Sequence, residues 1–399
     1  MTLRYSTDIV IFGGGVAGLW LLNRLHSEGY QPLLIETKAL GSGQTLASQG
    51  IIHGGLKYAL SGSLTGAANV IAGMPRRWRR CLTGDGDVDL QGVPVLSNYY
   101  YMWSDGNLRS SLKTFLGSKS LVGRVEGVKR DDYPEFFSGI NIDGSLYRLP
   151  DFVIDTAALL EKLAEPVWPR IFQIDENNID FSKNDSSNYS VCIQLDESRI
   201  DISAAQIIFC AGEGNAALIE QTAIQTIDTQ VRPLHMVYMK KQNLPRMFVH
   251  YVGDDFSLTP KVTITSHQDK QGQTVWYMGG DLAEEGVGKA KEEQIEIAQE
   301  LVRRLFPWID TSDGEWNSFV INRAEANINN NYRPDDAFIA TESNIMVAWP
   351  TKLTLTPSLA DKVLDTLQSK SVSAADSGEA QSMLADVAKV AETANAYWD

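Results

Sequence analysis

Three glycines near the N-terminus have a spacing that suits phosphate binding. Gly13, Gly15 and Gly18 follow directly after the run 8–12, which is apolar from Ile9 onward. In such a Gly-x-Gly-x-x-Gly pattern, the first glycine permits a tight turn and the second lets the backbone approach a pyrophosphate. The third lets a helix pack closely on a strand, and the free N–H groups that begin this helix attract phosphate charge. The pattern therefore predicts a dinucleotide site.

The elements on either side of the glycines must hold them in place. Residues 8–12 are mostly β-branched and aromatic, as in a buried parallel strand, and helical spacing follows over residues 19–27 with a stop near Gly29. Residues 32–36 form a second buried strand. Glu36 lies at its tip, where a carboxylate accepts hydrogen bonds from a ribose diol. The complete strand–helix–strand unit predicts nucleotide binding, and on these residues alone FAD and NAD both fit.

The composition limits the function classes. The chain has 399 residues, which favours two or three domains, and 35 basic against 50 acidic residues give a net charge of −15. A nucleic-acid groove and a docking surface for an anionic membrane both need clustered positive charge, so we expect neither partner. The basic run of Arg76, Arg77, Arg79 and Arg80 predicts a solvated helix face that pairs with nearby acids.

Cysteine usage and hydropathy favour a cytoplasmic protein. Cys81, Cys192 and Cys210 are too few and too scattered for a disulfide framework or a zinc ribbon, and we expect no metal. The apolar stretch 9–22 is too short to span a bilayer, and it lacks the leading basic cluster of a signal peptide. We therefore expect a soluble, cytoplasmic chain without an integral membrane segment.

The rest of the chain alternates α/β segments with strand-rich blocks. A buried strand at 205–210 ends in a glycine-rich break, and Asp155 or Thr156 caps a helix that ends at Leu163. The other predicted elements are a β-meander over 169–204, strands over 232–282, a helix over 289–306, a polar linker over 368–381 and a terminal helix over 384–398. This interleaving predicts a mixed α/β fold of two interwoven domains.

A second glycine-containing segment, residues 43–58, includes the string His-Gly-Gly-Leu-Lys-Tyr that begins at His53. Segments 210–212 and 331–339 accompany it, as does the start of a last helix near Thr354. Together these residues resemble the flavoenzymes of the D-amino-acid oxidase superfamily. The string is most similar to the His-Gly-Gly-Leu-Arg-Tyr of FAD-dependent glycerol-3-phosphate dehydrogenases, and L-2-hydroxyglutarate dehydrogenases have a similar stretch.

The resemblance implies a Rossmann-type FAD-binding domain interwoven with a β-sheet-rich substrate domain. The first would comprise residues 1–82, 150–215 and 335–367, the second would comprise 83–149 and 216–334, and 368–399 would form a linker and a C-terminal helix. FAD would be bound noncovalently, with Ser48, Gln49 and Gly50 along the passage from pyrophosphate to isoalloxazine. Besides these residues, Glu36 and the three glycines, the expected cofactor-binding residues are Val16, Ala17, Thr37, Gln44, Thr45, Ile52, Ala211, Gly212, Thr351, Lys352, Leu353 and Thr354.

The segment before the last helix departs from the family. Members usually have glycines there, whereas residues 347–354 contain none. Two-electron reduction leaves negative charge at the N1–C2=O edge of a flavin, and a helix N-terminus with Lys352 beside it would stabilise that charge. The alternative for Lys352 is a surface loop lysine.

Three residues carry the expected chemistry. The resemblance places His53 near the reactive face of the flavin, where an imidazole takes the hydroxyl proton of an alcohol; the alternatives are a core histidine or a covalent bond to flavin. Arg333 would hold a carboxylate or phosphate with its guanidinium fork, unless it is an exposed turn residue, and Lys57 stands in place of a second arginine. The candidates that we expect to be structural instead are Arg323, Lys261, His250 and His267.

These residues and the resemblance together predict an FAD-dependent oxidoreductase. It would oxidise a small anionic organic substrate at a CH–OH carbon by hydride transfer to flavin N5, with oxygen, a quinone or a protein as the electron acceptor. The alternatives are CH–NH oxidation of an amino acid or secondary amine, a flavoprotein without turnover, and an NAD-dependent dehydrogenase, which a yellow purified protein would exclude.

Overall fold

Three sheets and seven helices make up the described part of the chain. The computed structural model describes residues 2–55, 66–104, 125–184, 187–194, 199–225, 227–253, 260–328 and 334–368, and also 382, 384–385, 388 and 391–399. The helices are α1 (Val16–Ser27), α2 (Gly66–Leu82), α3 (Thr156–Ala164), α4 (Asn215–Thr222), α5 (Asp281–Glu285), α6 (Lys291–Leu305) and α7 (Thr356–Gln368). None of these described helices is long and apolar enough to cross a membrane.

Nineteen strands alternate with these helices along the described residues. They are β1 (Thr2–Phe12), β2 (Pro32–Glu36), β3 (Ile51–Ile52), β4 (Val95–Ser97), β5 (Tyr100–Ser104), β6 (Glu126–Gly127), β7 (Ser145–Leu149), β8 (Phe152–Ile154), β9 (Ile171–Gln173), β10 (Ile179–Lys183), β11 (Tyr189–Gln194), β12 (Arg199–Phe209), β13 (Thr229–Lys241), β14 (Val249–Tyr251), β15 (Val262–Gln268), β16 (Thr274–Gly279), β17 (Glu315–Ala326), β18 (Phe338–Glu342) and β19 (Ile345–Trp349).

The first sheet holds the N-terminal strand at its centre. Its order is β10-β11-β12-β1-β2-β9, and β19 joins β12 and carries β18 at its side. Strands β2, β12 and β19 run parallel to their neighbours β1 or β12. Ile9 and Ile11 pack into one apolar cluster with α1, α3 and α7, while Val10 and Phe12 pack into a second cluster on the opposite face. Because parallel strands end at one edge, the segments that follow β1, β2, β12 and β19 meet there.

The second sheet has the order β17-β13-β16-β15-β14-β5-β7-β6. Ala298, Val302 and Leu305 of α6 pack with Trp276 and Met278 on one of its faces. Hydrogen bonds from the loop after β2 connect β15 and β16 to the first sheet. This second sheet corresponds to the strand-rich block expected from the sequence.

A small third sheet, in the order β3-β8-β4, connects three segments that are far apart in the sequence. Ile51 of β3 pairs with Val153 of β8, and Ile52 pairs with Phe152 in antiparallel register. One further step in this register sets His53 opposite Asp151. The smallest sheet in the described part of the molecule therefore decides which polar residues meet.

The sequence-based elements match the structure closely at the nucleotide end. Gly29 has φ +91 just after α1, as a helix stop requires, and the Asp155 carboxylate accepts the Ala158 N–H at the start of α3. Both β1 and β12 are longer than expected, because Thr2 to Thr7 pair with residues 199–204 before the buried part of each strand begins. The mixed α/β class is confirmed, and we keep the domain boundaries as predictions.

Two expectations about the remaining segments need correction. Only β10, β11 and β12 form the expected meander, because β9 pairs in parallel with β2 instead. The terminal helix over 384–398 is wrong for residues 391–399, which contain no helix. There the backbone pairs with Leu40, which donates to Glu392 O at 2.8 Å and accepts from Ala394 N at 3.0 Å. Backbone pairing and the burial of Trp398 outweigh the weak local helix propensity.

Candidate active site

The three glycines of the N-terminal motif are required for different reasons. A Cβ on Gly13, which has φ +104, would lie 2.6 Å from Ala211 Cα, and one on Gly18 would lie 1.9 Å from Gly13 O. The protein's own packing therefore demands both. A Cβ on Gly15 would meet only Thr45 Oγ1 at 3.1 Å, and its φ of −78 suits any residue. Gly15 thus borders open space at the start of α1, where a phosphate would approach.

The Glu36 carboxylate is held by three backbone N–H groups at the tip of β2. It accepts from Gly14 at 2.5 Å, from Thr37 at 2.8 Å and from Lys38 at 2.9 Å. Burial raises the pKa of Glu36 above its usual range, and these donors oppose that shift. A carboxylate offers about four lone-pair sites, so capacity remains for a ribose hydroxyl. The structure therefore places Glu36 at the tip of β2 beside the glycine turn, and its ribose contact stays a prediction.

The loop after β2 lines the same edge. Thr45 Oγ1 accepts the Val16 N–H at 3.1 Å, which ties this loop to the first turn of α1, and Ala17 follows in that turn. The buried hydroxyl oxygen of Ser48 has no hydrogen-bond partner among the described residues. An unsatisfied buried hydroxyl costs free energy, so it indicates a group that the protein itself does not supply. Together with the open space at Gly15, this oxygen fits a dinucleotide extended along the loop.

Other predicted cofactor residues determine the path of the backbone around this edge. Gly212, with φ +59, follows β12 beside the Gln44 side chain, and Ala211 N donates to Asn215 Oδ1 at 2.8 Å. Gly50 has φ +68, and a Cβ there would lie 2.2 Å from Ile154 O. Ile52 is fully buried. These residues shape the walls of the edge through their backbones.

Gln49 joins the two main sheets. Its amide nitrogen donates to Tyr277 O at 2.9 Å and to Thr263 O at 3.1 Å, and Tyr277 in turn donates its hydroxyl to Ala47 O at 2.7 Å. The sequence predicted a cofactor contact for Gln49. In the structure, its amide nitrogen is hydrogen-bonded to β15 and β16, so this side chain holds the loop against the second sheet.

In the segment before the last helix, a threonine adopts the backbone conformation that a glycine would favour. Thr351 adopts φ +58, a left-handed conformation that favours glycine. A short 3₁₀ turn, Leu353–Leu355, then leads into α7, and Lys352 precedes it in extended conformation. Thr354 is fully buried, and its hydroxyl accepts the His53 N–H at 2.8 Å. This segment therefore fixes the backbone of His53.

The His53 side chain contacts a buried carboxylate. Its Nδ1 lies 3.3 Å from Asp151 Oδ2, and Asp151 Oδ1 accepts the Gly54 N–H at 2.9 Å. The imidazole is 38% exposed, whereas the Asp151 side chain is 4% exposed. The Nδ1 edge of the ring is thus held against a buried group, and the ring is partly exposed elsewhere.

A second histidine stacks on the first. The rings of His53 and His250 lie nearly parallel, with centroids 6.4 Å apart and planes inclined by 13°. His250 Nδ1 lies 2.9 Å from Thr263 Oγ1, and its ring packs against Tyr100 with centroids 4.3 Å apart. Burial, assisted by the neighbouring His53, lowers the pKa of His250 to about 3. His250 is therefore neutral at physiological pH.

Asp151 was not among the residues predicted from the sequence, and His250 was expected to be structural. The sequence feature that pointed to Asp151 is its position between Pro150 and the apolar run 152–154. A carboxylate next to such a run is expected to be buried, and a buried charge needs a partner. His250 gave no such signal, since it alternates with apolar residues as any strand residue does.

The remaining candidates fall into two groups. Lys57 and Arg333, predicted to hold the substrate anion, lie outside the described residues. Arg323 contacts Glu284, Lys261 pairs with Asp281 at 3.4 Å, and buried His267 packs against Trp398, so each has the structural setting that was expected. In the basic run, Arg77 forms a bidentate pair with Asp361 and also contacts Asp87, as the helix-face interpretation predicted.

Comparison with known proteins connects this site to flavin chemistry. A family model described as DAO, FAD dependent oxidoreductase, matches residues 8–348. The probable FAD-dependent oxidoreductase PA4991 of Pseudomonas aeruginosa is 42% identical over 369 residues, which cover 92% of each chain. The crystal structure of PA4991 matches with a TM-score of 0.83 at 34% identity, over 100% of this chain and 99% of that one.

Solved structures of lower identity share the fold. FAD-bound L-α-glycerophosphate oxidase from Mycoplasma pneumoniae has a TM-score of 0.68 at 14% identity, over 99% of this chain and 100% of that chain. L-amino acid deaminase from Proteus vulgaris has a TM-score of 0.64 at 13% identity, over 93% and 92% of the two chains. One fold thus serves proteins named for a phosphorylated alcohol and for an amino acid.

Proposed function

Because the chain belongs to the DAO family of FAD-dependent oxidoreductases, we propose that it oxidises a small anionic substrate at a CH–OH carbon, with His53 as the base. FAD is its cofactor and, when bound, accepts the hydride at N5. The observation that carries the proposal is the His53 imidazole, which contacts Asp151, on a backbone that is bonded to Thr354 in the turn before the last helix. This setting suits removal of a hydroxyl proton near neutral pH.

Other residues of the site would bind the reactants. The open space at Gly15, the hydroxyl of Ser48 and the carboxylate of Glu36 would hold the adenine and pyrophosphate half of the cofactor. Arg333 and Lys57 would anchor the substrate's carboxylate or phosphate, since the chain is acidic overall and an anion needs a local positive site. The string from His53 to Tyr58 supports a hydroxy acid or a polyol phosphate as the substrate.

The second candidate is CH–NH oxidation of an amino acid or secondary amine. The structural likeness to an L-amino acid deaminase supports it. A neutral amine already has a lone pair and needs no strong base, so His53 would contribute little to that reaction.

An anaerobic screen tests the substrate class. Hydroxy acids, polyol phosphates and amino acids are mixed singly with the purified protein, and loss of the flavin absorbance is followed by stopped flow. Bleaching by hydroxy acids or polyol phosphates supports the proposal, and bleaching by amino acids alone contradicts it. Readmitting oxygen or adding a quinone to the bleached protein then identifies the acceptor.

The flavin should be noncovalent and stoichiometric. The strand–helix–strand unit and Glu36 suit the ADP half of FAD, and the Nδ1 edge of His53 faces Asp151. After acid precipitation, all flavin absorbance is expected in the supernatant, where its fluorescence identifies FAD. Flavin that stays with the precipitate would instead support the covalent role for His53.

Truncation of the anion anchor should weaken transition-state binding. We expect Arg333→Ala to cost about 2–5 kcal/mol in kcat/KM, as when one partner of a desolvated charge pair is removed. Arg333→Lys should recover part of this loss because the fork geometry is absent, and Lys57→Ala should cost less than Arg333→Ala. The measurement is the rate of flavin reduction against substrate concentration. Wild-type kinetics in Arg333→Ala would rule out an anionic substrate held by this residue.

A further inference from the structure

We propose that Asp151 is the positioning residue of His53, which fixes the imidazole so that Nε2 is the nitrogen free to accept the substrate's proton. The inference rests on the proposed function in one respect, namely that His53 is the base. The contact that carries it is the pair of bonds from one carboxylate to two neighbouring residues, His53 and Gly54.

The carboxylate selects the tautomer. An ionised carboxylate can only accept hydrogen bonds, so Nδ1 of the neighbouring imidazole must carry the proton in the neutral ring. Nε2 then has a free lone pair on the exposed side. The bond from the Gly54 N–H holds the carboxylate itself, and Thr354 holds the His53 backbone. Any displacement of the ring, or a half-turn about the Cβ–Cγ bond, would therefore break one of these contacts.

The burial of the Asp151 carboxylate opposes folding, so stability does not by itself account for its position. The side chain is 4% exposed, and among the described residues its sole ion-pair partner is the histidine. Moving a carboxylate out of water carries a large desolvation cost, which one histidine at 3.3 Å and one backbone N–H offset in part. Within the described ranges, the contact with His53 is therefore the interaction that best accounts for a carboxylate at this position.

The neighbouring His250 limits the charge in the site. Its ring stacks on His53, and its Nδ1 contacts Thr263. Since it stays neutral, it adds no positive charge beside the Asp151 carboxylate, and its ring lies nearly parallel to that of His53 with centroids 6.4 Å apart. Tyr100, which packs against His250, is buried and also neutral. Within the described ranges, Asp151 is thus the acidic side chain that contacts His53 on this wall.

Asp151→Asn separates positioning from structural support. The amide oxygen of the introduced asparagine could still accept the Gly54 N–H, and its NH₂ group would then face Nδ1 of His53 as a donor. The neutral ring would respond by placing its proton on Nε2, which removes the lone pair needed by the base. The fold loses a buried charge and keeps the backbone bond.

The tautomer can be read without any substrate. The chain has five histidines, so the holoprotein labelled with [15N]histidine gives a spectrum simple enough to assign with His53→Asn. At pH 8.5, the wild-type His53 should show a protonated Nδ1, and Asp151→Asn should show a protonated Nε2. An Nε2–H tautomer in the wild type, or the same tautomer in both proteins, overturns the proposal.

Kinetics then test the consequence with whichever compound bleaches the flavin. Asp151→Asn should slow flavin reduction by roughly 10²-fold to 10⁴-fold, with flavin content and melting temperature no lower than in the wild type. In the His53→Asn background the same substitution should have no further effect, whereas a structural role would add to the loss. The matched control is Asp8→Asn, because Asp8 is an equally buried carboxylate that accepts the Gln31 N–H at the opposite end of the first sheet.

The two hypotheses fail in distinguishable ways. If His53→Asn leaves the rate unchanged, the proposed base is wrong, while the tautomer measurement still tests the contact. If His53→Asn loses activity and Asp151→Asn does not, the positioning role is wrong and the base is not.

Discussion

Gly15→Val is expected to abolish FAD binding while leaving the fold in place. The backbone of Gly15 has a conformation open to any residue, and a Cβ there would meet only Thr45 Oγ1 at 3.1 Å, so a shift of that hydroxyl by a few tenths of an ångström makes room for a side chain. The branched valine would instead fill the space at the start of α1 that a pyrophosphate must approach. The variant should purify without colour, with a flavin-to-protein absorbance ratio near zero and a circular dichroism spectrum like that of the apoprotein.

A matched substitution controls for the effect of valine itself. Gly127 lies on the exposed strand β6, and a Cβ there would meet nothing within 4 Å. Gly127→Val should therefore retain full flavin content. Gly18→Val is unsuitable as a comparison because its Cβ would overlap Gly13 O and disturb the fold directly. Full flavin content in Gly15→Val would mean that the pyrophosphate lies elsewhere.

His53→Asn is expected to slow flavin reduction by roughly 10²-fold to 10⁴-fold, the usual contribution of a general base. Asparagine is polar and, like histidine, has a planar group attached to its Cβ. Its amide cannot accept a proton near neutral pH. The loss should appear in the limiting rate at saturating substrate, measured anaerobically by stopped flow, because the base acts in the step that breaks the O–H bond.

The surface residue His26 near the end of α1 provides the control for this prediction. His26→Asn should reduce its flavin at the wild-type rate. If His53→Asn loses less than about tenfold with an amino acid as substrate, the CH–NH alternative is favoured, since a neutral amine needs no base. If it loses less than about tenfold with a hydroxy acid, His53 is not the base.

Sequence alone was sufficient wherever the determining interactions are local. The turn after β1, the stop of α1 at Gly29 and the capped start of α3 each depend on residues a few positions apart, and the structure has them where the pattern predicted them. The dinucleotide edge follows from the same locality, because one strand–helix–strand unit carries both the glycines and Glu36.

The partners of His53 required the tertiary structure. Asp151 is 98 residues away and His250 lies on a different sheet, and both meet His53 through the register of β3 and β8 and the packing of β14. A two-residue strand has no periodicity that a sequence could display. The C-terminal segment follows the same rule, since its pairing with Leu40 overrides the local helical pattern. Local patterns determined the elements and the cofactor edge, and long-range backbone pairing determined which side chains face one another, because pairing energy depends on partners that the local sequence does not specify.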